Sequence, residues 1–206
     1  GNRGPGAIIE ANVTLNAGDQ IRMVVGQEAN QNTSGNTANG GGRGGGGTFV
    51  WISGQSQPLV VAGGGGGGSI TNTSGSSVFL PGKGGNTASS GLPAYNNDPI
   101  FGTNGGDAQS GWGGKGWNSM SASGSFNGIT GSHGSIAGFG GGGDNRDGSH
   151  AGGGGGGYSG GGGGNYSTNT GSGNTDGRNG GGGGGSYVVS TASNVATSNG
   201  QYNNSS

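Results

Sequence analysis

Small residues recur at every third position in five separate stretches of this chain. Within positions 35 to 47, 82 to 91, 102 to 114, 128 to 143 and 151 to 163, every third residue is glycine or alanine. A period of three is that of the extended left-handed polyproline II helix, which has about 3 residues per turn and rises about 3.1 Å per residue. Residues three apart lie on one edge of such a helix, and a glycine edge lets two backbones touch. The pattern predicts a bundle of packed left-handed polyglycine II helices.

Three uninterrupted glycine runs, Gly63 to Gly68, Gly152 to Gly157 and Gly180 to Gly185, are bare on all three edges. Such a helix makes no internal hydrogen bonds, so each buried N–H and C=O needs a partner on a neighbouring segment. We therefore expect these three runs at the centre of the bundle, surrounded by other segments.

The composition excludes several alternatives. With 63 glycines among 206 residues and only 25% hydrophobic residues, the chain lacks the apolar mass of a helical or α/β domain. Glycine is not strictly every third residue and only five prolines occur, which excludes collagen. A charged fraction of 7% and a net charge of −1 are atypical of disordered chains. Flexible Gly/Ser linkers remain the open alternative.

Strand-like patterns lie mainly in the first sixty residues. AIIEANVTL at 7 to 15 and QIRMVV at 20 to 25, joined by turn residues 16 to 19, predict a β-hairpin. Its apolar side would consist of Ile9, Ala11, Val13 and Leu15 on the first strand and of Ile21, Met23 and Val25 on the second.

A second hairpin is predicted from TFVWI at 48 to 52 and PLVVA at 58 to 62. SYVVS at 186 to 190 predicts a late strand that returns to the same sheet. The expected fold class is therefore mostly irregular and β, with a polyglycine bundle beside one small antiparallel sheet. We expect a single domain over 1–206, with hairpins in 1–62, the bundle with its loops in 63–185, and the returning strand and tail in 186–206.

Bulkier segments interrupt the glycine scaffold and are predicted to be loops. They span 69 to 81, 92 to 101, 117 to 127, 144 to 150 and 165 to 176. Aromatic and amide groups mounted on a rigid scaffold suit binding. The candidate ligand-binding residues are Tyr95, Asn96, Asn97, Asp98, Trp117, Asn118 and Phe126. For Trp112 we expect packing at the edge of the bundle, whereas for Trp117 packing and binding remain open.

No catalytic or metal-binding residues are predicted, and no cofactor. The G-x-S-x-G pattern around Ser159 has no histidine after it, so we ascribe it to the abundance of glycine. Asp144 to Gly148 lacks the spacing and closing glutamate of a calcium loop, and His133 and His150 alone do not indicate a metal site. Cysteine is absent. We expect the protein not to be an enzyme.

The partners expected from charge and hydropathy are limited. Seven Lys and Arg residues are scattered singly, which argues against binding to nucleic acid. No apolar run is long enough to span a membrane, so no direct membrane insertion is expected. Glycosylation sequons, which are frequent by chance in a chain rich in Asn, Ser and Thr, occur at Asn12, Asn32, Asn72, Asn165, Asn203 and Asn204.

The order of segments resembles a known family. GGRGGGGTFVWI at 41 to 52, PLVVAGGGGGG at 58 to 68, WGGKGW at 112 to 117, AGGGGGGYSGGGGG at 151 to 164 and GGGGGGSYV at 180 to 188 follow one another. This text resembles the glycine-rich extracellular domain of the anaplastic lymphoma kinase and leukocyte tyrosine kinase receptors, over approximately residues 35 to 190. The resemblance implies polyglycine helices beside a small β-sandwich, an extracellular setting and a protein ligand.

Two features qualify this resemblance. The receptor domain carries loop cysteines and precedes a membrane helix and a kinase, which this sequence does not show, so signalling is not implied. The architecture is also similar to the polyglycine tip proteins of phage tail fibres, whose loops read bacterial surface molecules. We therefore expect an extracellular recognition or adhesion module, secreted or on a cell or virion surface, that binds a protein or glycan. The alternative is a structural subunit of a filament or matrix that self-assembles through a β edge.

Overall fold

In a computed structural model the described part of the chain forms short strands, one short helix and long segments without regular secondary structure. The structure describes residues 3–29, 41–73, 76–94, 101–108, 112–122, 140–143, 151–164, 166–167, 177–178 and 180–199. The elements in chain order are β1 (Ile8–Asn12), β2 (Ile21–Val24), β3 (Thr48–Ile52), β4 (Val60–Ala62), β5 (Ser69–Thr73), β6 (Ser76–Leu80), α1 (Trp117–Ala122), β7 (Tyr166–Ser167), β8 (Gly177–Arg178), β9 (Tyr187–Val188) and β10 (Ser193–Ser198).

The strands pair in small antiparallel sheets, which confirms the mostly irregular and β fold class. The largest sheet has the order β2-β3-β4-β9, while β1 pairs with β10, β5 with β6 and β7 with β8. The predicted hairpin of β3 and β4 is present, with Phe49 opposite Val61. The predicted late strand returns to the same sheet, with Tyr187 opposite Val61.

The predicted hairpin of the first two strands is wrong in its pairing. The strands and their turn exist: Asp19 N–H donates to Asn16 O at 3.1 Å, and Gly18 adopts a φ of +96°. However, β1 pairs with β10 and β2 pairs with β3, so that the two strands belong to different sheets. Local alternation identifies a strand but carries no information about a partner 180 residues away.

The predicted apolar side of β2 is also wrong. Val24 is the buried residue of this strand, whereas Ile21, Met23 and Val25 are exposed. Val24 lies opposite Phe49 on the face of the sheet that carries the aromatic residues. Because successive side chains alternate between the two faces, burial of Val24 places Met23 outside.

Three predicted loops contain regular structure. Segment 69–81 forms the hairpin of β5 and β6, and segment 117–127 begins with α1. Tyr166 and Ser167, in the third, pair with β8. The bulkier residues that suggested loops instead form short regular elements in these segments.

The hydrophobic core lies on one face of the four-stranded sheet. It consists of Val24, Phe49, Trp51, Val61 and Trp117, with Tyr158 and Tyr187 packed against it. The sheet supplies four of these residues and α1 supplies Trp117. Tyr158 follows the glycine run 152–157, so the core joins the sheet to the glycine segments.

The glycine runs are tightly enclosed. All residues of 63–68, 152–157 and 180–185 are buried, as expected of runs that are surrounded by other segments. A Cβ placed on Gly65, Gly67 or Gly155 would overlap a backbone carbonyl oxygen of another segment. Only glycine fits at these positions. We call segments 4–7, 42–47, 63–68, 82–85, 152–157 and 180–185 the glycine array.

Hydrogen bonds within the glycine array repeat every three residues. Gly64 and Gly67 both donate to segment 152–157, to Gly156 O at 2.7 Å and Gly153 O at 2.8 Å. Carbonyls three apart also share a neighbour: those of Gly63 and Gly66 accept from segment 4–7 and those of Gly65 and Gly68 accept from segment 42–47. The array therefore satisfies its backbone groups between segments rather than within them.

Candidate functional site

Two of the seven predicted ligand-binding residues fall within the described part of the chain. Tyr95, Asn96, Asn97, Asp98 and Phe126 lie outside the described residues. Trp117 and Asn118 are described, and they are the first two residues of α1. The structure separates these neighbours, because one side chain points into the core and the other into solvent.

Trp117 is a core residue and not a surface residue. It is 1% exposed, and its ring stacks on Phe49 with a centroid distance of 6.1 Å and meets Trp51 edge-on at 5.9 Å. Its indole Nε1–H donates to Ser56 O at 2.8 Å. A ligand cannot reach this ring without displacing the core, so Trp117 is not part of a binding surface.

Asn118 lies on an exposed polar surface. Its backbone N–H donates to Gly105 O at 2.9 Å and its Nδ2 donates to Asn104 O at 3.1 Å. Thr103, Asn104 and Ser119 are exposed beside it. We call these four residues, Thr103, Asn104, Asn118 and Ser119, the Asn118 platform. It presents amide and hydroxyl groups, which bind the hydroxyl and amide groups of glycans and proteins.

Asp107 anchors the platform, a role that the sequence did not suggest. Its carboxylate accepts from Gly116 N–H at 2.7 Å, from Ser119 Oγ at 2.7 Å and from Lys115 Nζ at 2.8 Å. Hydrogen bonds to an ionised acceptor are the stronger ones. One carboxylate thus joins the loop 103–107 to the start of α1. No spacing rule signals this contact, since the donors lie eight, nine and twelve residues away.

The glycine segments hold the platform from below. Gly105 N–H donates to the buried Ser159 Oγ at 3.1 Å, and Trp117 N–H donates to Tyr158 O at 2.9 Å. Gly160 N–H donates to Gly106 O at 3.0 Å. Both halves of the platform are therefore fixed to the segment that follows the glycine run 152–157.

A second surface is formed by β2 and the residue after it. Ile21, Met23 and Val25 are 39%, 64% and 60% exposed and alternate along the chain. Among the described strands, β3 alone pairs with β2, so β2 is an edge of that sheet. Exposed apolar side chains on a sheet edge are a typical site for pairing with another chain.

Two titratable groups have shifted pKa values, each with an identifiable cause. Burial lowers the pKa of Lys83, whose Nζ lies 3.4 Å from Ala94 O. Burial, and to a smaller extent the nearby Tyr187, raise the pKa of Tyr158. The rings of Tyr158 and Tyr187 stack at 4.5 Å. These shifts reflect the packing of the array and the core.

Other predicted features have mixed outcomes. Asn12 is exposed at the end of β1, and Asn72 lies in β5; Asn32, Asn165, Asn203 and Asn204 lie outside the described residues. Within the described part of the chain, no cluster of three or more His, Cys, Asp and Glu side chains could hold a metal ion. No helix among those residues has the length and apolarity needed to cross a bilayer.

Comparisons with known proteins add no relative. No protein-family model matches the sequence, and a search of curated proteins finds no significant match.

Proposed function

We propose that this chain is a non-enzymatic extracellular module for recognition or adhesion, in which packed left-handed polyglycine II helices hold up side-chain-bearing loops. The observation that carries the proposal is that glycine positions pack the array, whereas non-glycine positions form the exposed polar surface. The array admits no side chain at its central positions, while the Asn118 platform exposes four polar residues on a hydrogen-bonded mount. Rigid mounting lowers the entropy cost of binding. The proposed ligand is a protein or glycan on a cell surface.

The period of three in the hydrogen bonds supports the helical part of this proposal. In a helix with about 3 residues per turn, the N–H groups of residues i and i+3 point to the same neighbour. The N–H groups of Gly64 and Gly67 both donate to segment 152–157. Circular dichroism of the folded protein tests it. A left-handed extended-helix spectrum that is lost cooperatively on heating is the expected result, and a spectrum dominated by β-sheet would contradict it.

The recognition role is tested by binding. The intact protein is screened on glycan and extracellular-protein arrays, and hits are measured again with a Thr103→Ala and Asn118→Ala double variant. We expect at least tenfold weaker binding with an unchanged melting temperature, because both side chains are exposed. The matched control is Gln55→Ala, which changes an exposed turn residue that is not part of the platform. Unchanged binding by the double variant would exclude the platform as the site.

A second candidate function, a structural subunit, is favoured by one observation. Ile21 and Met23 expose apolar side chains on an edge strand, and edge strands pair readily with other chains. Analytical ultracentrifugation over a range of concentrations should then reveal association that Met23→Lys abolishes. A protein that stays monomeric at high concentration argues for the recognition role alone.

A further inference from the structure

Among the described residues, segment 63–68 of the glycine array has five neighbouring segments, which follow one another around it. It exchanges hydrogen bonds with 4–7, 42–47, 82–85, 152–157 and 180–185. Neighbouring members of this ring are also bonded to each other. The joining bonds are Gly85 N to Pro5 O, Lys83 N to Gly181 O, Gly155 N to Gly182 O and Gly156 N to Gly45 O. In hexagonal packing of equal rods each rod has six neighbours, so one position of the ring remains between 42–47 and 4–7.

That position is a groove of about 460 Å³. Its floor is 63–65 with Gly45 and Gly46, one wall is 3–7, and the other is 26–29. The ion pair of Arg3 and Glu28 joins the two walls. The volume falls within the range of ligand-binding pockets, about 300–1,000 Å³. Eight of the groove's sixteen lining residues are glycines, so a large part of its surface is backbone.

The hydrogen-bond period directs a donor into the groove. Gly64 N–H points to segment 152–157 and Gly66 N–H points to 82–85, which lie two positions apart in the ring. Three successive N–H groups of a threefold arrangement point in three directions about 120° apart, so the N–H of Gly65 points to the sixth position. Gly65 is buried, lines the groove, and donates to no acceptor among the described residues.

Within the described part of the chain, two carbonyls beside the groove also lack an N–H partner, and each lies against a neighbouring glycine, Gly4 O against Gly65 and Gly46 O against Gly26. Gly46 N–H is bonded to Gln27 O and Gly4 N–H to Gly66 O, whereas the carbonyls of Gly46 and Gly4 accept from no N–H among the described residues. Both residues line the groove. A buried N–H without a partner is costly, so the buried Gly65 favours an occupant that supplies a carbonyl acceptor.

We propose that the groove binds an extended peptide segment of a partner protein with glycine at every third residue. Such a segment supplies N–H and C=O groups with the period of the groove, and its glycine edge can approach a floor of bare backbone. The other two residues of each triplet face the walls and solvent. This inference rests on the array and not on the Asn118 platform, so it can fail or hold independently of the proposed recognition role.

The buried glycine runs of a second copy cannot fill the groove. The runs 152–157 and 180–185 of that copy are buried in its own array and cannot be presented to a neighbour. An extended segment of another protein has no such restriction.

The test uses a soluble peptide of four Gly-Ser-Asn repeats. Titration into the ¹⁵N-labelled full chain should shift the Gly65 amide resonance saturably and slow its hydrogen exchange. The matched peptide has the same composition with its glycines grouped together. We expect it to bind at least tenfold more weakly, because it cannot present a glycine edge.

Two variants place a side chain in the groove. A Cβ on Gly45 would lie 3.6 Å from Gly65 O and 3.8 Å from both Gln27 O and Gly65 N, which is ordinary contact. Gly45→Leu should therefore fold, fill the groove and weaken peptide binding at least tenfold, whereas Gly45→Ala should weaken it less. If Gly45→Leu does not fold, Gly6→Leu on the opposite wall replaces it, since its Cβ would lie 3.5 Å from Gly63 O. Gln57→Leu, on an exposed turn, is the control.

Three outcomes overturn the proposal. They are the absence of saturable binding at millimolar peptide, equal binding of the two peptides, and undiminished binding by the folded groove-filling variant. Protection of the Gly65 amide that rises with protein concentration in the absence of peptide would instead assign the groove to a second copy.

Discussion

At the scale of single residues, the glycines of the array differ in the space that surrounds them. A Cβ on Gly65 would overlap Gly4 O, whereas a Cβ on Gly6 meets only Gly63 O at 3.5 Å. We expect Gly65→Ala to destabilise the protein by about 1–3 kcal/mol or more, as overpacking does. Gly6→Ala should be neutral or stabilising by about 0.4–1 kcal/mol, because alanine reduces the entropy of the unfolded chain.

Urea denaturation of both variants measures this difference. Both substitutions add one methyl group to a glycine of the array. The difference between their free energies of unfolding therefore measures the contact of the added Cβ with the neighbouring backbone. Equal free energies of unfolding for the two variants would mean that the backbone around Gly65 shifts at little cost to admit a Cβ.

The raised pKa of Tyr158 predicts how stability depends on pH. Burial raises the pKa of the Tyr158 phenol in the folded state above its ordinary value of 10.0, and the nearby Tyr187 raises it further. The unfolded chain then loses its proton at lower pH than the folded chain, so stability falls as pH rises above about 10. Urea denaturation from neutral pH to about pH 11 should give a smaller decline for Tyr158→Phe than for the wild type. An identical decline in the wild type and in Tyr158→Phe would mean that the loss of stability at alkaline pH comes from other groups.

At the scale of elements, α1 owes its position to Trp117. The six-residue helix is too short to be stable alone, and its indole joins it to β3 through Phe49 and Trp51. Trp117→Ala should cost about 3–5 kcal/mol, since it leaves a large cavity and an unpaired Ser56 carbonyl. Asn118→Ala, one residue later and exposed, should change stability by less than about 0.5 kcal/mol. Thermal denaturation of both variants checks the contrast, and similar melting temperatures would contradict it.

The sequence predicted elements better than their partners. The hairpin of β3 and β4 was predictable because a short turn fixes its pairing, and the three glycine runs were predictable as buried because they are bare on every edge. The pairing of β1 with β10 was not, since it depends on packing between distant segments. For the same reason the apolar side of β2 was misassigned: Ile21 and Met23 look like core residues until Val24 is seen opposite Phe49.

The candidate site shows the same limit. Asn118 was predicted as a binding residue from its place in segment 117–127, but nothing local indicated that Trp117 would fill the core. The part played by Asp107 depends on three donors brought together by the fold. The groove beside 63–68 becomes visible only when the order of segments around this run is known.

At the scale of the whole molecule, stability depends on many weak bonds between distant parts of the chain. Gly67 alone donates to Gly153 and accepts from Gly181. Each such bond contributes only about 0.5–1.5 kcal/mol net, and glycine has the largest backbone entropy to lose. No segment of the array can therefore be stable alone, and the segments should form and open together.

Hydrogen exchange measures this cooperativity. In the native state the amides of Gly64, Gly67, Gly155 and Gly184, which bond three different pairs of segments, should exchange with one common opening free energy. Gly65→Ala should lower all four by the same amount, although it overlaps only segment 4–7. Amides of the exposed strand β10 serve as the control and should exchange through a smaller opening. Separate opening free energies for the four glycines would show that the array behaves as independent pairs of segments, because a jointly bonded array cannot release one segment without exposing the groups of its neighbours.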